Sequence, residues 1–530
     1  MSSKAPAGSG ARAGFREWTG LAVLALPCLL LAVDMNVLHM ALPQLSADLN
    51  PSSSQLLWII DMYSFMLAGF LITMGTLGDR IGRRRLLLIG VGAFGIASAL
   101  AAYSISAEML IVTRALLGIS GAAVMPSTLS LVSALFVNPR QRTVAVSVWM
   151  SCFMVGAAIG PVIGGLLLEF FWWGSVFLLG VPVMVAVLLT GRLLLPEYRD
   201  TTAGKLDLIS VALSLATVMP VIYGLKEIAK DGVHWLPVLA IVAGVAVGVS
   251  FVRRQRVLPD PLLDMRLFGN RSFRVILMIM VLGIVAFSGV VLFIPQYLQL
   301  VANLSPLWAG MWMTPAVVAM TIVTLLAPLA IRRIAPGHVI GTGLLVAAIG
   351  YLVLTQVEAV AGLGVLVVGA IIAYSGTGPM MALGTDLVVG YAPPEKAGSA
   401  SAIAETGMEF GSAMGVAVLG SIGTAVYRHQ VADSIPADVP DEAAAATRDT
   451  LPNAAGAAEE LPSQLATELL TPARESFSHG LNTAAAISAA LLVGLGVLAM
   501  TALRRIVPGN GSASHVASGD STSESMPHSR

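Results

Sequence analysis

The stretch GTLGDRIGRRR, residues 75–85, sets one Asp, four Arg and three Gly between two long apolar runs. A short turn on the cytoplasmic side of a membrane is expected to be basic, which accounts for Arg83, Arg84 and Arg85. It does not account for Gly75, Gly78 and Gly82 placed around Asp79 and Arg80. Glycines let helix ends and a turn approach neighbouring backbone closely. An Asp flanked by Arg can pair across a helix interface in one conformation and release in another, as a switch requires. A plain basic anchor in a tight loop is the other reading of the same residues.

The composition around this stretch sets the class. The chain has 530 residues, 56% hydrophobic and only 11% charged, with a mean hydropathy of +0.84. Soluble domains average about 25% charged residues, so this is an all-α polytopic membrane protein. The formal net charge is zero, which removes any bulk electrostatic argument for nucleic acid as a partner. Cys28 and Cys152 both fall inside apolar runs and read as small hydrophobes, with no disulfide framework or metal site. No cleavable signal peptide is expected, because the first apolar run is too long.

Spanning runs need about 20 residues. They occur near 19–42, 55–77, 85–104, 108–136, 143–168 and 174–195, then near 206–224 and 236–252, then near 275–298, 307–330, 338–356, 362–388, 398–426 and 481–503. The expected organisation is a cytoplasmic tail over 1–18, a six-helix bundle over 19–195, two additional central helices over 196–256, a second six-helix bundle over 257–503 and a disordered cytoplasmic tail over 504–530. Arg and Lys gather in alternate loops, which places both termini inside and leaves Lys226 and Lys230 as an exception in an outer loop. Arg332 and Arg333 follow the second span of the second half as Arg83 and Arg84 do in the first, and so suggest an internal repeat. Residues 428–479 form a long acidic outer loop, read as a solvated tether.

Ionisable residues within spans carry the functional argument, because they are costly in hydrocarbon and face a partner or a watery cavity. Asp34 lies in LAVDMNVLHMALP and Asp61 in LLWIIDMYSF. Glu405 and Glu409 are four residues apart and share a helix face, with Gly407, Gly411 and Gly415 on roughly the opposite face as a packing ridge. Arg114 reads as the lone intramembrane base. Trp58, three residues before Asp61, could add an aromatic face to a cation site or belong to the interfacial belt. Asp61 could equally cap or sit at the interface, and Asp386 is as readily interfacial as functional. Low dielectric favours the neutral form of a carboxyl group, and an arriving cation can take the proton's place. Competition of that kind is sufficient for antiport.

These residues fall in a wider pattern. Gly75, Asp79, Arg80, Gly82, Arg83 and Arg84 resemble the signature between the second and third helices of the major facilitator superfamily. LAVDMNVLHMALP, with Asp34 and Pro43, is similar to the span-one signature of its fourteen-helix drug:proton antiporter branch. Arg114, Gly118 and Gly121 match the span-four signature, and Gly156, Gly160, Pro161, Gly164 and Gly165 match the antiporter helix. PLLDMRLFGNRSF and FIPQYLQL also fit the branch, whose nearest look-alikes export quaternary ammonium compounds and methyl viologen. The resemblance implies the major facilitator fold, a latch role for Asp79 and Arg80, a proton-relay role for Arg114, and cation binding at Asp34 and Asp61. WWGSVFLLGVP lacks the Arg common after its first Trp, and IRRIAPG lacks the Asp of the first-half copy.

The expected function is therefore a proton-coupled antiporter of the cytoplasmic membrane that exports lipophilic organic cations, with no cofactor beyond the proton gradient and no oligomer required. A narrow exporter of one metabolite or antibiotic is the main alternative, and a ligand sensor or passive channel on the same fold is another. The seven His are scattered, and His39 lies five residues from Asp34 on a different helix face, so no catalytic constellation argues for an enzyme. Asp79→Asn is expected to leave insertion and cargo binding in place while slowing export, because it removes a charge from a switch. Equal losses of binding and turnover in vesicles would count against the switch.

Overall fold

A computed structural model describes residues 13–136, 138–197, 207–232, 234–258, 261, 265–392, 397–436 and 438–503. The tails expected over 1–12 and 504–530, with Lys4, Arg12, Arg504 and Arg505, lie outside the described residues. So does the side chain of Lys230.

Among the described residues, fourteen helices are long and apolar enough to cross a membrane. They are α1 (Phe15–Leu49), α2 (Ser53–Ile81), α3 (Arg83–Ala102), α4 (Ala107–Leu135), α5 (Val144–Phe170), α6 (Ser175–Leu194), α7 (Leu208–Ile228), α8 (Trp235–Val257), α9 (Arg271–Val301), α10 (Pro306–Ala330), α11 (Pro336–Leu354), α12 (Leu363–Gly390) and α13 (Ile403–Ala432), with α16 (Ser463–Ala502) last. Two short helices, α14 (Asp441–Asp449) and α15 (Leu451–Glu459), lie between α13 and α16. The sequence places the boundaries locally. Ser52 caps α2 by accepting from the Gln55 N–H, and Ser106 caps α4 by accepting from Met109. Gly82 divides α2 from α3 at φ +108°, a conformation that L side chains rarely adopt, and any Cβ there would meet the Glu197 carboxylate.

Packing repeats between the halves. In the first, α1 lies on α5 and α2 on α4; in the second, α9 lies on α13 and α10 on α12. Across the halves, α5 meets α10 and α2 meets α13, so the second helix of each half packs on the fifth of the other. Backbone approaches this close require glycine. A Cβ on Gly165 would lie 2.4 Å from the Pro306 carbonyl oxygen, and one on Gly310 would lie 2.3 Å from that of Pro161. Gly156, Gly160 and Gly164 instead seat α5 on α1 against Leu29, Val33, Asn36 and Val37. The antiporter helix therefore has two glycine faces, one within its half and one between halves.

The halves close on each other at the face that carries the α1–α2 turn. Gln299 donates to the Met40 carbonyl at 2.9 Å there. The same face is roofed by α14 and α15, contrary to the expected tether. Tyr427 donates to the Thr447 carbonyl at 2.7 Å, Asn453 donates to the Pro51 carbonyl at 3.1 Å, and the Ser53 N–H donates to Asp449 at 3.0 Å. Leu451 and Ala454 are fully buried. Acidic composition suggested a solvated segment, but its Ala and Leu positions fall on buried faces of short helices.

Gly165→Ala is expected to insert normally and to loosen this seal, since the atom it meets is backbone and cannot turn aside. Overpacking costs about 1–3 kcal/mol, enough to move a two-state balance several-fold. A cysteine placed at Ser305 should then react faster with an impermeant maleimide added on the roofed side. Unchanged labelling and export would show that the contact is dispensable.

Candidate functional site

The charges of the 75–85 stretch pair within the first half. Asp79 accepts from Arg83 Nε at 2.7 Å, four residues on, and its Oδ1 lies 2.6 Å from Nη2. Arg84 lies 3.3 Å from Glu197 and donates to the Leu195 carbonyl at 3.0 Å. Arg80 is exposed. The contacts of the expected latch thus stay on one half while the opposite face is sealed. Gly78 and Gly82 sit against Arg83 and Glu197, whereas Gly75 has open space around it and serves no close approach.

Within the spans, α4 crosses α2 at Gly118, where a Cβ would lie 2.3 Å from the Tyr63 carbonyl oxygen. That crossing puts Arg114 beneath Tyr63, its guanidinium carbon 4.6 Å from the ring centroid. Arg114 Nη1 donates to Asp34 at 3.2 Å and Nε donates to the Ile59 carbonyl at 3.2 Å. Asp34 therefore has a resident counter-ion.

Asp61 also has one. Lys226 Nζ lies 2.7 Å from its Oδ2, and both side chains are wholly inaccessible to solvent. The same Nζ stands 4.2 Å over the Trp58 ring. This corrects two readings: Lys226 is not in an outer loop, and Arg114 is not the only intramembrane base. Helix α7 continues past the apolar run that ends near 224, and Ile222 and Lys226, four residues apart, are both buried. The missed signal was that spacing, which extends the buried face of the helix by one turn.

A cavity of about 50 Å³ separates the two ion pairs, lined by His39, Asp61, Tyr63, Ser64, Arg114 and Ser412 among others. His39, assigned by spacing to a different face from Asp34, reaches this cavity because Asp61 and Arg114 approach α1 from other helices. Glu409 lies against Ser64 and within electrostatic reach of Glu405 and Tyr63. The α13 glycine ridge packs on α9 as its spacing predicts: a Cβ on Gly411 would meet the Val281 carbonyl oxygen at 2.7 Å, and one on Gly415 that of Val285 at 2.4 Å. Glu405 and Glu409 are half-buried, and neither is in an ion pair among the described residues. A turn of π-helix at Val416–Gly420 follows them, and Val416 lines the small cavity. Asp386 is exposed on α12.

Beside these acids lies a larger, apolar cavity of about 270 Å³ bounded by α2, α7, α8, α9 and α13. Phe65, Phe251, Phe268 and Phe410 face it, together with Thr406 and Gly407, and none of the four acids is among its lining residues. Both additional helices thus contribute walls to a partly open apolar space that α2 of the first half and α9 and α13 of the second also line.

Residues 24–416 match the family model described as Major Facilitator Superfamily. The chain is 41% identical over 490 residues to the multidrug efflux pump LfrA of Mycolicibacterium smegmatis, covering 92% of this chain and 97% of that one. It is 33% identical over 488 residues to the methyl viologen resistance protein SmvA of Salmonella typhimurium, covering 91% and 98%. A bacterial homolog of the human lysosomal transporter Spinster, solved in an inward-facing and unoccupied conformation, superposes with a TM-score of 0.62 at 16% identity over 93% of this chain and 98% of that one, which shows the shared fold.

Arg114→Gln should destabilise the protein by about 3–5 kcal/mol by leaving Asp34 buried without its partner. Adding Asp34→Asn should recover most of the melting temperature lost in detergent. Additive losses in the double variant would mean that the two side chains do not act as a pair.

Proposed function

Since the chain belongs to the Major Facilitator Superfamily, we propose that this multi-pass cell-membrane protein is a drug exporter that exchanges protons for lipophilic organic cations. The observation that carries this reading is a set of four acids within the spans, Asp34 and Asp61 each paired with a buried base, and Glu405 and Glu409 in no ion pair among the described residues, on helices that also wall an aromatic-lined apolar cavity. Fully ionised, the group holds an excess of negative charge that protons or a cation must offset in low dielectric. A delocalised or quaternary cation suits the phenyl walls, because it carries apolar surface and asks for no hydrogen bonds. The names of the similar proteins, a multidrug pump and a methyl viologen resistance protein, support the same cargo class.

In this reading the roofed face is outside and the Arg-rich face, with Arg83, Arg84, Arg253, Arg271 and Arg332, is inside, as the positive-inside rule asks. Cargo enters the apolar cavity, and proton release from the acids accompanies its loading. The seal formed by α5 and α10 then opens as the halves rock. On the opposite face, Asp79 exchanges its Arg83 partner within the half for one across it, and the exposed Arg80 joins it in closing the path.

Glu405 and Glu409, on one helix face about 6 Å apart at Cβ, repel when both are ionised, and a divalent cation offsets that repulsion. Glu409→Gln is therefore expected to impair export of a dicationic viologen more than that of a matched monovalent dye, and to shift the pH dependence of exchange. Flux into everted vesicles measures both. Equal loss of the two cargoes with an unchanged pH profile would leave Glu409 a structural residue.

A further inference from the structure

The two buried ion pairs are built differently. Arg114 is held from three sides, by Asp34, by the Ile59 carbonyl and by the Tyr63 ring. Lys226 is held by one carboxylate at 2.7 Å and one aromatic face at 4.2 Å, and neither its Nζ nor either Asp61 oxygen has a hydrogen-bond partner beyond that contact. An ammonium group has three donors, and the protein offers Lys226 one carboxylate. A buried pair offsets its desolvation only when the remaining donors and lone pairs are satisfied. The Lys226–Asp61 contact is thus specific in place and weak in net energy.

Its geometry is that of a cation site: a carboxylate, an aromatic face and apolar surroundings made by Phe65, Ile222, Ala413 and Ala417. We propose that Lys226 is the tethered resident cation of the Trp58–Asp61 site, and that an organic cation loads there by displacing it. The inference rests on the export reading above. A quaternary or phosphonium cation needs no hydrogen bonds, so it loses less than an ammonium does on entering a site that offers only one acceptor group. The lysine has somewhere to go. It lies two residues before the end of the α7 span at Ile228, beyond which the helix runs on to Asp231, and a four-carbon stem reaches from there toward the interface. Lys226 then acts as a specificity-determining competitor: it keeps Asp61 compensated when the site is empty and rejects cations that bind less well than itself. It also gives α7 a part in loading.

Binding of tetraphenylphosphonium to the purified, full-length protein tests this. Lys226→Met and Lys226→Gln should each bind the probe about tenfold more tightly, because the fraction of open sites rises; Lys226→Arg should not. The Gln variant keeps an amide donor for Asp61 and so guards against misfolding of the apolar one. Adding Asp61→Asn to Lys226→Gln should abolish the gain, which a merely looser fold would not do. If the folded neutral variants bind the probe no better than the parent while the parent still exports cations, Lys226 is a structural counter-ion and this inference fails alone. If the parent neither binds nor exports any organic cation, the export reading fails and takes this inference with it.

Discussion

An ionised side chain within a bilayer must meet an opposite charge, a proton or water, and the interior of this protein is arranged around that requirement. Asp34 on α1 and Asp61 on α2 each have a base supplied by another helix, Arg114 from α4 and Lys226 from α7. Glu405 and Glu409 on α13 have none among the described residues. One half of the fold therefore carries acids with a base in contact, and the other carries acids with none among the described residues.

Positioning those acids depends on how closely helices approach. At Gly118 the α2 backbone comes close enough to set Tyr63 over Arg114, and Gly411 and Gly415 press the ridge side of α13 onto α9, leaving Glu405 and Glu409 half-accessible. The Gly165 and Gly310 contacts, by contrast, join halves and not neighbours within a half. Lipid offers little hydrophobic drive for helices to associate, so glycine-to-backbone packing of this sort holds helices together both within each bundle and across the seam between them. Rigid halves with a separable seam are the physical requirement of alternating access.

The roof formed by α14 and α15 shows the same economy. It joins the end of α13 to α16 and also fastens onto the first half through Asn453 and Asp449. A segment with those contacts ties the second half to the first at that face, which a solvated tether would not do.

Much of this was legible in the residues themselves. Hydropathy and run length identify the spans, because each transmembrane helix must satisfy its backbone internally and so leaves a local signature. Four-residue spacing likewise places Glu405 and Glu409 on one face and the glycine ridge on another. Partners are a different matter. That Lys226 belongs to Asp61, that His39 reaches the cavity, that Asp79 pairs with Arg83 and not across the halves, and that residues 441–459 fold as a roof all depend on which helices lie side by side. Periodicity along one helix fixes the direction of a side chain relative to its own axis, but the charge or cavity it meets is contributed by residues tens or hundreds of positions away. Only the packed arrangement of the helices decides that.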